Sequence, residues 1–115
     1  FDIDAIIVSN HGGRQLDGTI SSISALKRIV DNVGSDIELY FDGGIRSGQD
    51  ALKALSIGAK AVFIGRPYLY GLGGLGREGA QKVIDIMRKE IDITLALCGE
   101  NDIKNLNSKN LYEDI

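Results

Sequence analysis

The chain has 115 residues, enough for one small domain, and its 43% hydrophobic and 25% charged residues are typical of a globular protein. The formal net charge is −3 and no basic block is present, which argues against a nucleic-acid surface. No apolar run approaches the roughly 20 residues that cross a bilayer, while peripheral contact with a membrane stays open. The single cysteine excludes an internal disulfide, and residues 1–4 lack the basic start of a signal peptide. We therefore expect a reducing, cytoplasmic location.

Three short apolar segments predict strands. They are residues 4–9, 37–41 and 61–64, and each is followed by Asn, Asp or Gly. Nearly continuous apolar character over four to six residues is typical of parallel strands that are buried on both faces.

The segments between these strands predict helices. Residues 19–33 place apolar side chains at helical spacing, with Ser21 or Ser22 as the N-cap. Residues 47–57 begin with a Ser-x-x-Asp capping pattern, and Gly58 is expected to end that helix.

The second half of the chain is rich in glycine. We predict a glycine-rich loop over residues 65–76, a long helix over residues 77–97 ended by Gly99, and a short helix with a loose tail over residues 100–115. Residues 71–76 match G-x-G-x-x-G by letter. They lie several residues past their strand and are followed by no second strand with an acidic end, so a flexible loop is preferred to a dinucleotide site.

The order of elements is therefore βαβαβα, which predicts an α/β fold with right-handed crossovers. Three strands cannot close an eight-stranded barrel of ~250 residues. The chain is then either a small open sheet or part of a larger fold. In both cases the turns that follow the strands meet at one edge of the sheet, where parallel α/β proteins bind ligands.

The turn after the first strand carries the chain's only histidine. It reads Ser9-Asn10-His11-Gly12-Gly13-Arg14-Gln15-Leu16-Asp17 and is named here the histidine turn. A histidine at a strand end, opposite the phosphate site that the next two turns predict, is suited to act as a general base. Arg14 is suited to bidentate binding of a carboxylate. The alternatives are a structural histidine and a surface salt bridge between Arg14 and Asp17. Ser9 and Asn10 would hydrogen-bond a cofactor ring or cap the strand.

Two further turns predict a phosphate site. The Asp-Gly-Gly turn (residues 42–48) offers glycine amides, a following helix N-terminus and Arg46. The Gly-Arg-Pro turn (residues 65–67) adds a second glycine and a second arginine at the next strand end. The alternatives are a tight turn with a solvated arginine, or structural arginines that pair with Asp42 or Asp50.

Together the three turns closely resemble those of the FMN-dependent α-hydroxy-acid dehydrogenase/oxidase family, which includes L-lactate dehydrogenase, lactate oxidase and glycolate oxidase. The resemblance implies a TIM barrel, with residues 1–99 as its last three βα units and residues 100–115 as the helix and tail. It also implies FMN as the cofactor and an L-2-hydroxy acid of lactate or glycolate type as the substrate. No metal is expected.

The resemblance also implies roles for single residues. His11 would take a proton from the 2-hydroxy acid while the flavin accepts the hydride equivalent, Arg14 would hold the substrate carboxylate, and Ser9 would contact the flavin. The residues that would hold the FMN phosphate are Asp42, Gly43, Gly44, Ile45, Arg46, Gly65 and Arg66.

Other catalytic residues of that family lie on earlier strands and are absent from these 115 positions. They include the flavin-facing lysine and the aspartate that orients the histidine. We therefore expect the isolated chain to be nearly silent, and its exposed strand edges to favour self-association or pairing with the N-terminal barrel part. A phosphate- or FMN-binding module without turnover, or a truncated remnant, stay as alternatives.

Overall fold

Three parallel strands form the centre of the fold. The computed structural model describes residues 3–112. The strands are β1 (Ala5–Val8), β2 (Glu38–Asp42) and β3 (Ala61–Phe63). They lie in the order β1-β2-β3, with Ile7 beside Tyr40 and Phe41 beside Val62. All three predicted strands are confirmed, and both outer strands have a free edge among the described residues.

Three α-helices follow the strands in alternation. They are α1 (Ser22–Val33), α2 (Gly48–Ile57) and α3 (Arg66–Leu97). Ser21 is the N-cap of α1. Ser47 and Asp50 form a reciprocal capping box at the start of α2, and Gly58 ends that helix with φ +134°, a backbone conformation that favours glycine. The predicted caps are therefore confirmed.

The helices bury one face of the sheet. The core consists of Val8, Leu26, Leu39, Phe41, Ile45, Ala51, Ala54, Ala59 and Met87. The opposite face is uncovered by the described residues, since Ile7 and Phe63 on that face are 56% and 46% exposed. Tyr40 lies between them and makes an edge-to-face contact with Phe63, with ring centroids 6.4 Å apart. The described residues thus leave an apolar sheet face uncovered.

The loop predicted over residues 65–76 is wrong, because α3 already begins at Arg66. Non-helical backbone at Leu75 and Gly76 divides α3 into two legs, residues 66–74 and 77–97. Pro67 suits the first turn of this helix, where its missing N–H would have no helical acceptor.

Close packing of the two legs explains why this glycine-rich stretch is helical. A Cβ atom on Gly71 would lie 2.5 Å from the carbonyl oxygen of Gly79, and one on Gly79 would overlap the backbone of Gly71. The legs can approach this closely only without side chains. The contact offsets the helix propensity of glycine, which is about 1 kcal/mol below that of alanine.

Residues 100–112, where the sequence predicts a short helix, contain two short 3-10 helices, Ile103–Asn105 and Ser108–Asn110. Asp102 and Asn107 accept hydrogen bonds from backbone amides two residues on, and such local bonds compete with an α-helix. The second 3-10 helix packs against α2. The loose end over residues 113–115 lies outside the described residues, and the division of the chain at residue 99 stays a prediction. Within residues 3–112, no helix combines the length and apolar character that crossing a bilayer requires.

Candidate functional site

A cleft of about 770 Å³ lies at the carboxyl ends of the strands, between the three turns. That volume is within the range of small-molecule sites, about 300–1,000 Å³. Its lining includes every predicted site residue except Ser9: His11, Arg14, Asp42, Gly43, Gly44, Ile45, Arg46, Gly65 and Arg66. The expectation that the turns meet at one edge of the sheet is therefore confirmed, while the role of each residue stays a prediction.

The backbone of the histidine turn is held in an unusual conformation. His11 has φ +54°, the only positive φ of a non-glycine residue among those described. Its backbone N–H donates to Ser9 Oγ at 3.0 Å, and Asn10 Oδ1 accepts from the Gly12 N–H at 3.0 Å. A left-handed conformation costs an L-residue about 1–2 kcal/mol, so these side-chain hydrogen bonds hold His11 in a position that the backbone alone disfavours.

Ser9 links two turns and does not line the cleft. Its hydroxyl donates to Asp42 Oδ2 at 2.5 Å and accepts from the His11 N–H. This pair of bonds connects the end of β1 to the end of β2 and to the backbone of His11. The flavin contact implied for Ser9 stays a prediction.

The Asp-Gly-Gly turn bends through two glycines with positive φ, Gly43 at +107° and Gly44 at +88°. A Cβ atom on Gly43 would lie 2.6 Å from Ser22 Oγ and 3.1 Å from Asn10 Oδ1. The Ser22 hydroxyl is buried and has no hydrogen-bond partner among the described residues. Glycine is thus required at position 43 both by its backbone angle and by its neighbours.

Several backbone amides at the start of α2 already have carboxylate acceptors, while the predicted role of this N-terminus in binding a phosphate stays a prediction. The Arg46 and Ser47 N–H groups each donate to Asp50 Oδ2 at 3.0 Å. The Gly48 N–H donates to Glu90 Oε2 at 2.7 Å. Two carboxylates therefore occupy these three donors, and the glycine turns and the arginine side chains are further sources of attraction for an anion.

The two arginines reach the cleft from different elements. Arg46 is exposed at its rim, and Arg66 at the start of α3 donates from Nη2 to the carbonyl oxygen of Gly12 at 3.4 Å. The alternative pairing with Asp42 or Asp50 is not observed in residues 3–112, where those carboxylates accept from Ser9, Ser47 and backbone amides.

Sequence reasoning missed three contributors to the site. Lys53 lines the cleft one helical turn after Asp50, a spacing that could have suggested it. Ser22 and Glu90 act through tertiary contacts with Gly43 and Gly48, and no local pattern indicates these pairs. In the described part of the chain, no group of three His, Cys, Asp or Glu side chains is placed to hold a metal ion.

Solved structures with this arrangement are known. The fold superposes on (S)-mandelate dehydrogenase, described as a monotopic membrane protein, with a TM-score of 0.90 and 41% identity over 96% of this chain and 29% of that one. A variant of flavocytochrome b2 gives a TM-score of 0.90 at 40% identity, over 97% of this chain and 30% of that one. These similarities confirm the predicted fold class, a βαβαβα segment of a TIM barrel, and define the class as flavin-dependent α/β-barrel oxidoreductases.

Sequence comparison identifies the family within this class of oxidoreductases. The sequence model of the FMN-dependent dehydrogenase family matches residues 1–113, so the chain belongs to the FMN-dependent dehydrogenase family. It is 49% identical to L-lactate oxidase from Nostoc sp. over 94% of this chain, and 48% identical to mouse 2-hydroxyacid oxidase 1 over 89%. The chain spans only 30% and 28% of the lengths of those two relatives. FMN is the cofactor of this family.

Proposed function

We propose that this chain supplies the base, the carboxylate-binding arginine and the cofactor-phosphate turns of an FMN-dependent oxidoreductase that converts an L-2-hydroxy acid of lactate or glycolate type into the 2-oxo acid. The observation that carries the proposal is the convergence of His11, Arg14 and two glycine–arginine turns on one cleft. The names of the relatives, L-lactate oxidase and 2-hydroxyacid oxidase, support the same substrate class.

The residues of the cleft fit the phosphate end of FMN. Gly43 and Gly44 bring backbone close to the cleft without side chains, and Arg46 and Arg66 supply positive charge from two neighbouring strand ends. Asp42, which the resemblance places with the phosphate-binding residues, is not suited to contact the phosphate itself, because a carboxylate repels a phosphate. Its free acceptor capacity suits the hydroxyl groups of the cofactor chain, and we assign it there.

His11 and Arg14 suit the substrate. FMN, when bound, supplies the acceptor for the two electrons that leave the hydroxy acid. An imidazole nitrogen of His11 would receive the proton, and the guanidinium of Arg14 would hold the carboxylate in a bidentate geometry. Both residues lie in the same 3-10 turn and its C-cap, so their backbones are fixed relative to each other.

The chain alone should be a poor catalyst. Among residues 3–112 no carboxylate hydrogen-bonds the His11 imidazole, so nothing in this part of the protein fixes the tautomer or stabilises the imidazolium. A module that binds FMN without turnover is therefore the second candidate for the chain in isolation.

A chimera tests the proposal. This chain would replace the corresponding segment of the Nostoc L-lactate oxidase, and anaerobic flavin reduction by L-lactate would be followed by absorbance. We expect reduction in the parent chimera and a loss of about 10²–10⁴-fold in His11→Asn, with FMN content unchanged. A matched Gln15→Ala variant in the same turn should retain the rate. Failure of the parent chimera to bind FMN would refute the proposal. FMN binding without flavin reduction would refute the catalytic role and support the second candidate, a module that binds FMN without turnover.

The uncovered sheet face and its free edges favour association with other strands. Ile7 and Phe63 are exposed on it, and the outer edges of β1 and β3 have no neighbouring strand among the described residues. We propose that the chain pairs along these edges with further barrel strands or, in their absence, with a second copy. Sedimentation velocity of the 115-residue chain should show oligomers. A stable monomer over a wide concentration range would contradict this.

A further inference from the structure

We propose that Glu90, a residue outside the cleft, is a positioning residue for the phosphate-binding turn. The inference rests on the proposed function and adds a determinant of how strongly the phosphate of the cofactor is held. Glu90 lies on the second leg of α3 and accepts a hydrogen bond from the Gly48 N–H at 2.7 Å. Gly48 is the first residue of α2 and the last residue of the Asp-Gly-Gly turn, which is the phosphate-binding turn meant here.

The contact is built into the packing of the two helices. A Cβ atom on Gly48 would lie 2.6 Å from the Met87 carbonyl oxygen, 2.6 Å from the Ile91 N and 2.7 Å from the Glu90 Cβ. The first turn of α2 therefore lies directly against the backbone of α3, and Gly48 is buried there. In this setting the carboxylate and the amide form a partly buried, charge-assisted bond rather than a surface contact.

Two sets of hydrogen bonds meet at the first turn of α2, one from Glu90 and one that reaches the residues of the cleft. Asp50 Oδ2 accepts from the amides of Arg46 and Ser47, so the residue that carries the guanidinium is bonded to the same helical turn that Glu90 holds. Arg66 enters the cleft from the other end of α3. Because α3 carries Arg66 and also contacts α2 through Glu90, this bond adds to the pairing of β2 with β3 as a constraint on the spacing between the two arginines.

The negative charge of Glu90 allows two possible roles to be distinguished. A carboxylate near a phosphate site weakens anion binding if it acts through charge alone, so its removal would then raise phosphate affinity. A positioning role predicts the opposite, because removal would let the turn move. The two roles thus differ in the sign of the effect.

The experiment compares FMN with riboflavin, which lacks the phosphate, and uses the 115-residue chain. Dissociation constants would be measured by fluorescence titration for the parent, Glu90→Ala, Glu90→Gln and the control Asp92→Ala, which removes an exposed carboxylate from the same helix. We expect Glu90→Ala to reduce the FMN-over-riboflavin preference by about tenfold, the size of one charge-assisted hydrogen bond. Glu90→Gln, which keeps an acceptor oxygen, should restore most of it, and Asp92→Ala should match the parent.

Amide hydrogen exchange gives a readout that is independent of flavin. In Glu90→Ala the amides of Gly48, Ser47 and Arg46 should exchange faster than in the parent. The inference is overturned if these rates and the FMN preference are unchanged, or if the preference rises. A parent chain that binds FMN no better than riboflavin would instead refute the phosphate role of the turn itself, and with it the purpose assigned to Glu90.

Discussion

Replacement of Gly43 by alanine tests how tightly the Asp-Gly-Gly turn is built. Two separate costs are expected. The backbone angle of +107° disfavours an L-residue by about 1–2 kcal/mol. The new Cβ atom would also lie 2.6 Å from Ser22 Oγ, and overpacking of this kind costs about 1–3 kcal/mol. The sum is a loss of about 2–5 kcal/mol in the free energy of unfolding.

A double-mutant cycle separates the two costs. Ser22→Ala removes a buried hydroxyl that has no partner among the described residues, so it should be neutral or stabilising by about 1 kcal/mol. It also leaves the Ser22 Cβ 3.4 Å from the new methyl group, which is ordinary contact. In the Ser22→Ala background, Gly43→Ala should cost its backbone strain and the milder crowding against Asn10 Oδ1 at 3.1 Å. The coupling energy between the two positions should thus be about 1–3 kcal/mol.

The assay is urea unfolding at a fixed protein concentration, because association contributes to apparent stability. Gly44→Ala is the matched control. It has φ +88°, and among the described residues no neighbouring atom lies within 4 Å of the place its Cβ would take, so it should show strain and no coupling to Ser22→Ala. A coupling energy below about 0.5 kcal/mol for the Gly43 pair would refute the proposed contact.

Two further predictions concern the sheet and the bent helix. Tyr40 donates to Glu38 Oε2 at 2.8 Å, and this hydrogen bond, with the carboxylate charge and burial, raises the pKa of Tyr40 above 10.0. The stabilisation from this hydrogen bond is present below pH 10 and is lost as the pH rises through the raised pKa of Tyr40. Glu38→Gln should therefore lower the pKa of Tyr40, measured by phenolate titration with Tyr40→Phe as the reference. An unchanged titration would contradict this. Gly79→Ala should destabilise the chain by about 1–3 kcal/mol through overlap with the Gly71 backbone. Gly73→Ala, with open space at its Cβ, should be neutral or stabilising in the same unfolding assay, and equal effects of the two would contradict the packing argument.

Local chemistry makes much of this fold predictable. Short apolar segments predict the strands, and a serine and an aspartate three residues apart predict the start of α2, because each signal acts within a few residues. The convergence of the site follows from parallel topology alone. The arginines and glycines of the cleft are predictable for the same reason, since every turn of interest directly follows a strand.

The errors have a common physical origin in contacts between distant residues. Glycine propensity predicts a loop before Gly76, yet packing of Gly71 against Gly79 makes the stretch helical. Glu90 accepts a hydrogen bond from the Gly48 N–H, 42 positions away, a contact that is not predicted from the sequence. Neither pairing leaves a periodic or local pattern in the sequence.

The left-handed backbone of His11 places stability and chemistry in opposition at one position. Glycine would adopt φ +54° at little cost, and it would relieve strain of about 1 kcal/mol or more that the histidine retains. A search for stabilising substitutions would therefore favour glycine here and remove the proposed base. Where a protein keeps a side chain for its reactivity, replacement of that residue is expected to increase stability and to abolish turnover.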